Sequence, residues 1–167
     1  MRRILLPAAL LLALAPTLAA QGAAAAAKPS AAKPAAKPAA PMAALKWGPA
    51  PAAFPAGSKM AVVSGDPSQA AMFTVQLSLP DGYKFPPHFH HTAEAVEVKK
   101  GTFLFAMGDT FDAAQLKTMA VGGKGSIPAN GHHYAQAKGP TIVAVTAMGP
   151  FEITYVNAAD DPRHPTP

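Results

Sequence analysis

From Ala71 to Leu79 the chain alternates, with Phe73, Val75, Leu77 and Leu79 on one side and Thr74, Gln76 and Ser78 on the other. A repeat of two residues, rich in β-branched and aromatic side chains, means extended chain with one face buried. Similar runs occur at Met60–Ser64, Ala93–Val98, Thr102–Met107, Thr141–Met148 and Phe151–Val156. Glycine and proline turn signals stand between them, at Gly65-Asp66-Pro67, Pro80-Asp81-Gly82, Lys100-Gly101, Gly122-Gly123, Lys138-Gly139-Pro140 and Gly149-Pro150. Only Phe111–Lys117 reads as a short helix. Many short strands at close spacing predict an all-β sandwich or barrel, and residues 47–162 suffice for one such unit and not for two.

All 12 aromatic residues lie from Trp47 onward, whereas residues 1–45 hold 19 alanines and no aromatic side chain. Any sizeable core is therefore built beyond residue 46. Charge is divided in the same way. Residues 1–45 carry five basic groups and no acid, while the remainder balances nine Lys/Arg against nine Asp/Glu. The net charge of +5 thus belongs to the leading segment and gives little reason to expect a nucleic-acid partner. Cysteine is absent, which excludes disulfides, thiolate metal sites, a cysteine nucleophile and a cysteine-linked lipid anchor.

Met1-Arg2-Arg3, the apolar run Ile4–Ala15 and the small residues of Pro16–Ala20 together have the form of a cleavable signal peptide over residues 1–20. The apolar run is too short to span a bilayer, so no transmembrane segment is expected in the mature chain. The expected location is periplasmic or secreted. Residues 21–46 repeat an Ala-Lys-Pro theme through Lys28-Pro29, Lys33-Pro34 and Lys37-Pro38. Each proline disfavours helix in the residue before it, and no large side chain is available to bury, so a disordered linker is expected. It reads first as a solvated tail, with a spacer holding the domain off a surface as the alternative. Residues 163–167 read as a short terminal tail.

Five of the six histidines fall in two clusters, His88/His90/His91 and His132/His133. In extended chain His88 and His90 share a face and His91 points away. Glu94, an even step beyond His90, returns to the His90 face if the strand continues. A second strand bringing His133 opposite would complete a pocket of three imidazoles and one carboxylate. That donor set suits a single divalent transition ion such as Fe, Mn, Ni, Cu or Zn, and leaves its identity open. The alternative is a set of surface histidines beside a turn. Tyr83, Phe85 and Phe89 could line a pocket mouth or pack in the core; Gln76, Tyr134 and Tyr155 could bind a ligand or be satisfied within the barrel.

The spacing of these residues resembles the cupin superfamily. Gly82, His88, His90, Glu94 and Gly101 stand at every fixed position of that family's first motif, and Gly122, Pro128 and His133 match part of its second. Asn130 stands where the second motif has glycine, and Ala137 where it has asparagine. Asparagine tolerates left-handed backbone better than other side-chain-bearing residues, so the turn can survive. The resemblance implies a single cupin domain over residues 47–162, folded as a double-stranded β-helix, or jelly-roll barrel. It implies His88, His90, Glu94 and His133 as metal ligands facing inward, with His132 the competing ligand and His91 turned to solvent or to a supporting role. It is compatible with a metal-dependent enzyme, oxygenase-like or isomerase-like, that acts on a small oxygenated organic molecule. Glu94 would then be a fourth ligand or a proton acceptor. The alternative is a non-catalytic module that binds a small ligand through its metal. Proteins of this family often pair through edge strands, so a homodimer stands beside the monomer as an expectation.

Overall fold

The computed structural model describes residues 45–164. The expected signal peptide, nearly all of the expected linker and the end of the chain lie outside the described residues. Among those described, no helix is long and apolar enough to cross a membrane.

Two long strands organise the chain, β5 (Glu94–Met107) and β8 (His133–Met148), which run antiparallel from Glu94↔Ala147 to Met107↔His133. Strand β3 (Met72–Leu79) flanks the second half of β8, and β4 (Lys84–Phe89) flanks its first half. Before β3 come β1 (Gly48–Pro49) and β2 (Lys59–Ser64); β6 (Lys117–Met119) and β7 (Lys124–Ile127) pair with β5, and β9 (Thr154–Tyr155) pairs with β4. The nine strands form one sheet in which β8 changes partner along its length. A strand shared in this way curls the sheet and encloses its inner face. Phe73, Val75, Leu77 and Leu79 all point into that enclosure and are at most 4% exposed.

Two turn signals prove to be bends within longer strands. Lys100-Gly101 does not separate two strands; it sits inside β5, where the register against β8 slips on either side of Lys100. Lys138-Gly139-Pro140 likewise lies inside β8. Both glycines have positive φ, 77° at Gly101 and 74° at Gly139. The Thr141 hydroxyl repairs the interrupted ladder, donating to Thr102 O at 2.9 Å and lying 3.3 Å from the Thr102 amide. Strand β8 also begins eight residues before the expected start at Thr141. The helix expected at Phe111–Lys117 shrinks to a single 3-10 turn, Ala113–Gln115, capped by the Asp112 carboxylate on the Ala114 amide. Of the strand expected at Phe151–Val156, only Thr154–Tyr155 pairs.

Gly101 and Gly82 separate the two costs of replacing a turn glycine. Both have positive φ, but a Cβ at Gly82 meets nothing within 4 Å, whereas one at Gly101 would lie 2.5 Å from Pro140 O. Gly82→Ala is expected to cost about 1 kcal/mol, the left-handed backbone penalty alone. Gly101→Ala adds a backbone clash at the β5–β8 bend, and its cost is expected to exceed about 3 kcal/mol. Equilibrium urea unfolding of both variants checks this; equal midpoints would contradict it.

Candidate metal centre

Strand β4 ends at Phe89, yet His90 continues its alternation, so His88 and His90 face inward at 5% and 4% exposure while His91 faces out. The strand does not continue to Glu94. A bend at His91-Thr92 turns the chain, and Glu94 arrives on the inner face as the first residue of β5, at 6% exposure. His133, the first residue of β8, stands directly opposite His88 in the β4–β8 register. The expected convergence therefore holds, although Glu94 reaches it by a new strand. The turn before β8 depends on Asn130, which has φ 59° as the motif position requires, and whose amide donates to His90 O at 2.8 Å.

The ligand atoms of His88, His90 and His133 all lie within 4.8 Å of one another. Each ring is fixed from behind by a backbone carbonyl. His88 Nδ1–H donates to Pro86 O at 2.7 Å, His90 Nδ1–H to Glu152 O at 2.6 Å, and His133 Nδ1–H to Gly131 O at 2.9 Å. A carbonyl can only accept, so Nδ1 carries the proton in all three and, in the neutral ring, Nε2 presents a lone pair. Phe151 stacks on the His90 ring at 4.4 Å and 21°.

Burial keeps these rings neutral. It pushes His88 well below the usual imidazole range, with His133 and His90 adding repulsion. It brings His90 down to about 4 and also lowers His133. Burial acts oppositely on Glu94, whose carboxyl is pushed up to about 7. Its oxygens lie 3.3 Å from His90 Nε2 and 3.6 Å from His133 Nε2. With neutral rings these contacts are not ion pairs, and a single carboxyl proton can serve at most one of the two lone pairs. With three lone pairs and a carboxylate facing one another, a divalent cation would satisfy all of them together. By donor chemistry the residues fit such an ion.

The four side chains line one end of a cavity whose remaining walls are apolar, among them Leu77, Phe85, Val96, Phe105 and Phe151. The cavity is partly open to solvent and, counting that open space, holds about 430 Å³ free of protein atoms. Phe85 is thus both core and cavity wall. His132 does not join the cluster; its Nδ1–H donates to Asp109 Oδ1 at 2.7 Å, and its ring stacks on Phe89. His91 Nδ1–H donates to Asn130 Oδ1 at 3.2 Å. Tyr134 and Tyr155 are satisfied by backbone carbonyls of Asp112 and Ala53 and do not line the cavity, nor does Gln76, whose buried Oε1 has no partner. Sequence reasoning missed Phe54 and Phe151 as walls, and missed the three carbonyls, which carry no residue identity to read.

No protein-family model matches the chain, and no curated protein matches it in sequence. Solved structures do. A candidate acetylacetone dioxygenase from Methylibium petroleiphilum is 23% identical, covering 76% of this chain and 85% of that one, with a TM-score of 0.58. The polyketide cyclase RemF from Streptomyces resistomycificus is 17% identical over 74% and 90%, with a TM-score of 0.59. A cupin 2 conserved barrel domain protein from Rhodopseudomonas palustris is 18% identical over 70% and 81%, with a TM-score of 0.55. At these identities the likeness establishes the fold: the chain has the all-β cupin fold that the motif spacing implied.

Glu94 gives a pH signature in the metal-free protein. Burial pushes its carboxyl up to about 7 from an ordinary value near 4.5, so the folded state holds this proton more tightly than the unfolded chain does. Stability is therefore lost as pH rises through that window, by up to ~3 kcal/mol at about 1.4 kcal/mol per unit. Glu94→Gln removes the loss, whereas the destabilising protonation of the histidines at low pH is common to both proteins. The stability of Glu94→Gln relative to the parent is expected to climb between about pH 5 and about pH 8, in chelator-stripped samples followed by thermal unfolding. A pH-independent difference would show that Glu94 is not buried as described.

Proposed function

We propose that this chain is an exported cupin that holds one divalent transition ion on His88, His90 and His133, and that it is a metal-dependent enzyme. Glu94 is the fourth ligand or the proton acceptor. The observation that supports this reading best is the set of three Nδ1–H bonds to backbone carbonyls, which turn three imidazole lone pairs towards one point inside an apolar barrel. That arrangement costs stability without a cation and gains from one.

The substrate class follows from the walls. An ion held there acts as a Lewis acid towards a substrate oxygen and, if it is redox-active, supports oxygenase chemistry. The surrounding residues do the remaining work. The carbonyl partners hold each ring in one tautomer and one orientation. Apolar walls exclude water and leave room for a small organic molecule that presents oxygen to the histidine end. Glu94 can take a proton at the oxygen that faces His90 or His133, which suits an oxygenase-like or isomerase-like reaction. Export to the periplasm or beyond rests on the leader pattern of residues 1–20.

A second reading has its own support. Among the residues that line the cavity, Glu94 and the three histidines are the only polar side chains. No separate acid or base is present, which favours a module that binds a ligand through its metal without turning it over.

Elemental analysis of the full chain, purified without added metal, is expected to give near one ion per chain. His88→Ala and His133→Ala are expected to lose it, by at least about tenfold in affinity, with the far-ultraviolet dichroism unchanged. His91→Ala and His132→Ala are expected to retain it. Loss in His132→Ala with retention in His133→Ala would overturn the ligand assignment. Oxygen uptake or product formation with a screened substrate, as against saturable binding alone, separates the two readings.

A further inference from the structure

The cavity walls differ in what holds them. Leu77, Val96, Phe103 and Val143 sit on β3, β5 and β8, each in a ladder with paired neighbours. Phe54 does not. It is 7% exposed and lines the same cavity as the histidines, yet it is carried by an irregular loop, Ala50–Ser58, that lies outside the strands. The loop is closed at its ends by the Ala50 amide on Ser58 O at 3.2 Å, with an inner turn from the Phe54 amide to Pro51 O at 2.9 Å. Pro51, Ala52, Ala56 and Gly57 on its outer surface are exposed.

Two tyrosines fasten this loop on either side of Phe54. Tyr155 donates to Ala53 O at 2.7 Å, and Tyr83 donates to Pro55 O at 2.6 Å while lying 3.0 Å from Ser58 Oγ. Both come from the part of the barrel that carries His88. Tyr83 immediately precedes β4, and Tyr155 pairs with His88 across β4 and β9. The Phe54 ring meets Phe85 edge-on at 6.1 Å, and Phe85 lies 5.8 Å from the His88 ring. Phe54 thus lines the cavity two rings from the histidines, on the loop that joins β1 to β2. Between the ladder pairs at the loop's two ends, burial of its ring and the two tyrosine hydroxyls hold it, so it can shift without breaking a ladder.

We infer that Phe54 determines the length of ligand the buried cavity accepts, and that Tyr83 and Tyr155 are positioning residues that hold it in place. The ligand class is a small molecule with an oxygen head at the histidine end and an apolar tail running towards Phe54. The assignment of the head rests on the metal reading above; the role of Phe54 as the terminal wall does not.

The test uses the full chain, stripped with chelator and loaded with Co(II), and straight-chain carboxylates from acetate to octanoate. The Co(II) absorption bands report the head and calorimetry reports the affinity. In the parent protein, affinity is expected to rise about fourfold per methylene until the tail meets Phe54, and then to stop rising. In Phe54→Ala the rise should continue for at least two further carbons, so that the longest acids bind more than about tenfold tighter than to the parent. Phe54→Trp should stop it earlier. In a metal-free arm, toluene should raise the melting temperature of Phe54→Ala by more than that of the parent, since the truncation adds apolar space next to the cavity. Matching chain-length profiles in the parent and a folded Phe54→Ala, with equal toluene shifts, overturn the proposal. Silent Co(II) bands in every protein, with a larger toluene shift in Phe54→Ala, retire the metal reading and keep Phe54 as the wall. Should Phe54→Ala fail to fold, the double variant Tyr83→Phe/Tyr155→Phe keeps the phenylalanine and frees its loop. Amide exchange over Ala50–Ser58 should then quicken about fivefold or more, and longer acids should bind. Faster exchange with an unchanged length profile overturns the proposal.

Discussion

Three backbone carbonyls, of Pro86, Gly131 and Glu152, decide the chemistry of this barrel. Each accepts a hydrogen bond from one imidazole Nδ1–H, which keeps the proton on Nδ1 and leaves a lone pair on the inner nitrogen. Two of the three belong to the residue two positions before the histidine they hold, so the local extended backbone supplies the brace. The third crosses from the segment before β9. Only the Pro86 carbonyl lies on a strand; that of Gly131 stands in the turn before β8 and that of Glu152 just before β9. The arrangement of the inner face is thus a consequence of where main-chain atoms lie, and the side chains follow.

That explains which parts of the site were legible in the sequence. Alternation alone placed His88 and His90 on one face and His91 on the other, because extended chain has a fixed period whatever its partners. It could not show that β4 ends before Glu94; the carboxylate reached the inner face through a bend at His91-Thr92 and the start of β5. The pairing of His88 with His133 needed a register between strands 45 residues apart, 88 and 133. Composition does not encode that register, and the family spacing supplied it. The carbonyl braces were invisible, since any residue can offer one. Phe54 was invisible for a related reason: nothing in its neighbourhood alternates, and its burial depends on two tyrosines far along the chain.

The misread turns teach the same point from the other side. Lys100-Gly101 and Lys138-Gly139-Pro140 were read as breaks because glycine and proline end strands in most settings. Here they bend two strands that must stay paired while the sheet curls. The Thr141 hydroxyl takes over the bonding at Thr102 where the register slips. A curled sheet needs such points, and local sequence cannot distinguish a strand that stops from one that turns a corner with its partner. Glycine at the bend reports positive φ correctly; only its topological meaning was missed.

Fold and specificity are therefore carried by different kinds of contact. His88, His133 and Glu94 sit on strands, where moving any one of them disturbs a ladder, and His90 stands one residue beyond the end of β4. Burial sets their proton affinities in opposite directions, lowering the imidazoles and raising the carboxyl. Phe54 is held differently, on the loop between β1 and β2, by burial of its ring and by two hydroxyl-to-carbonyl bonds worth about 1 kcal/mol each. A barrel built this way can keep its histidine end constant while substitutions in one short loop alter what fits beside it.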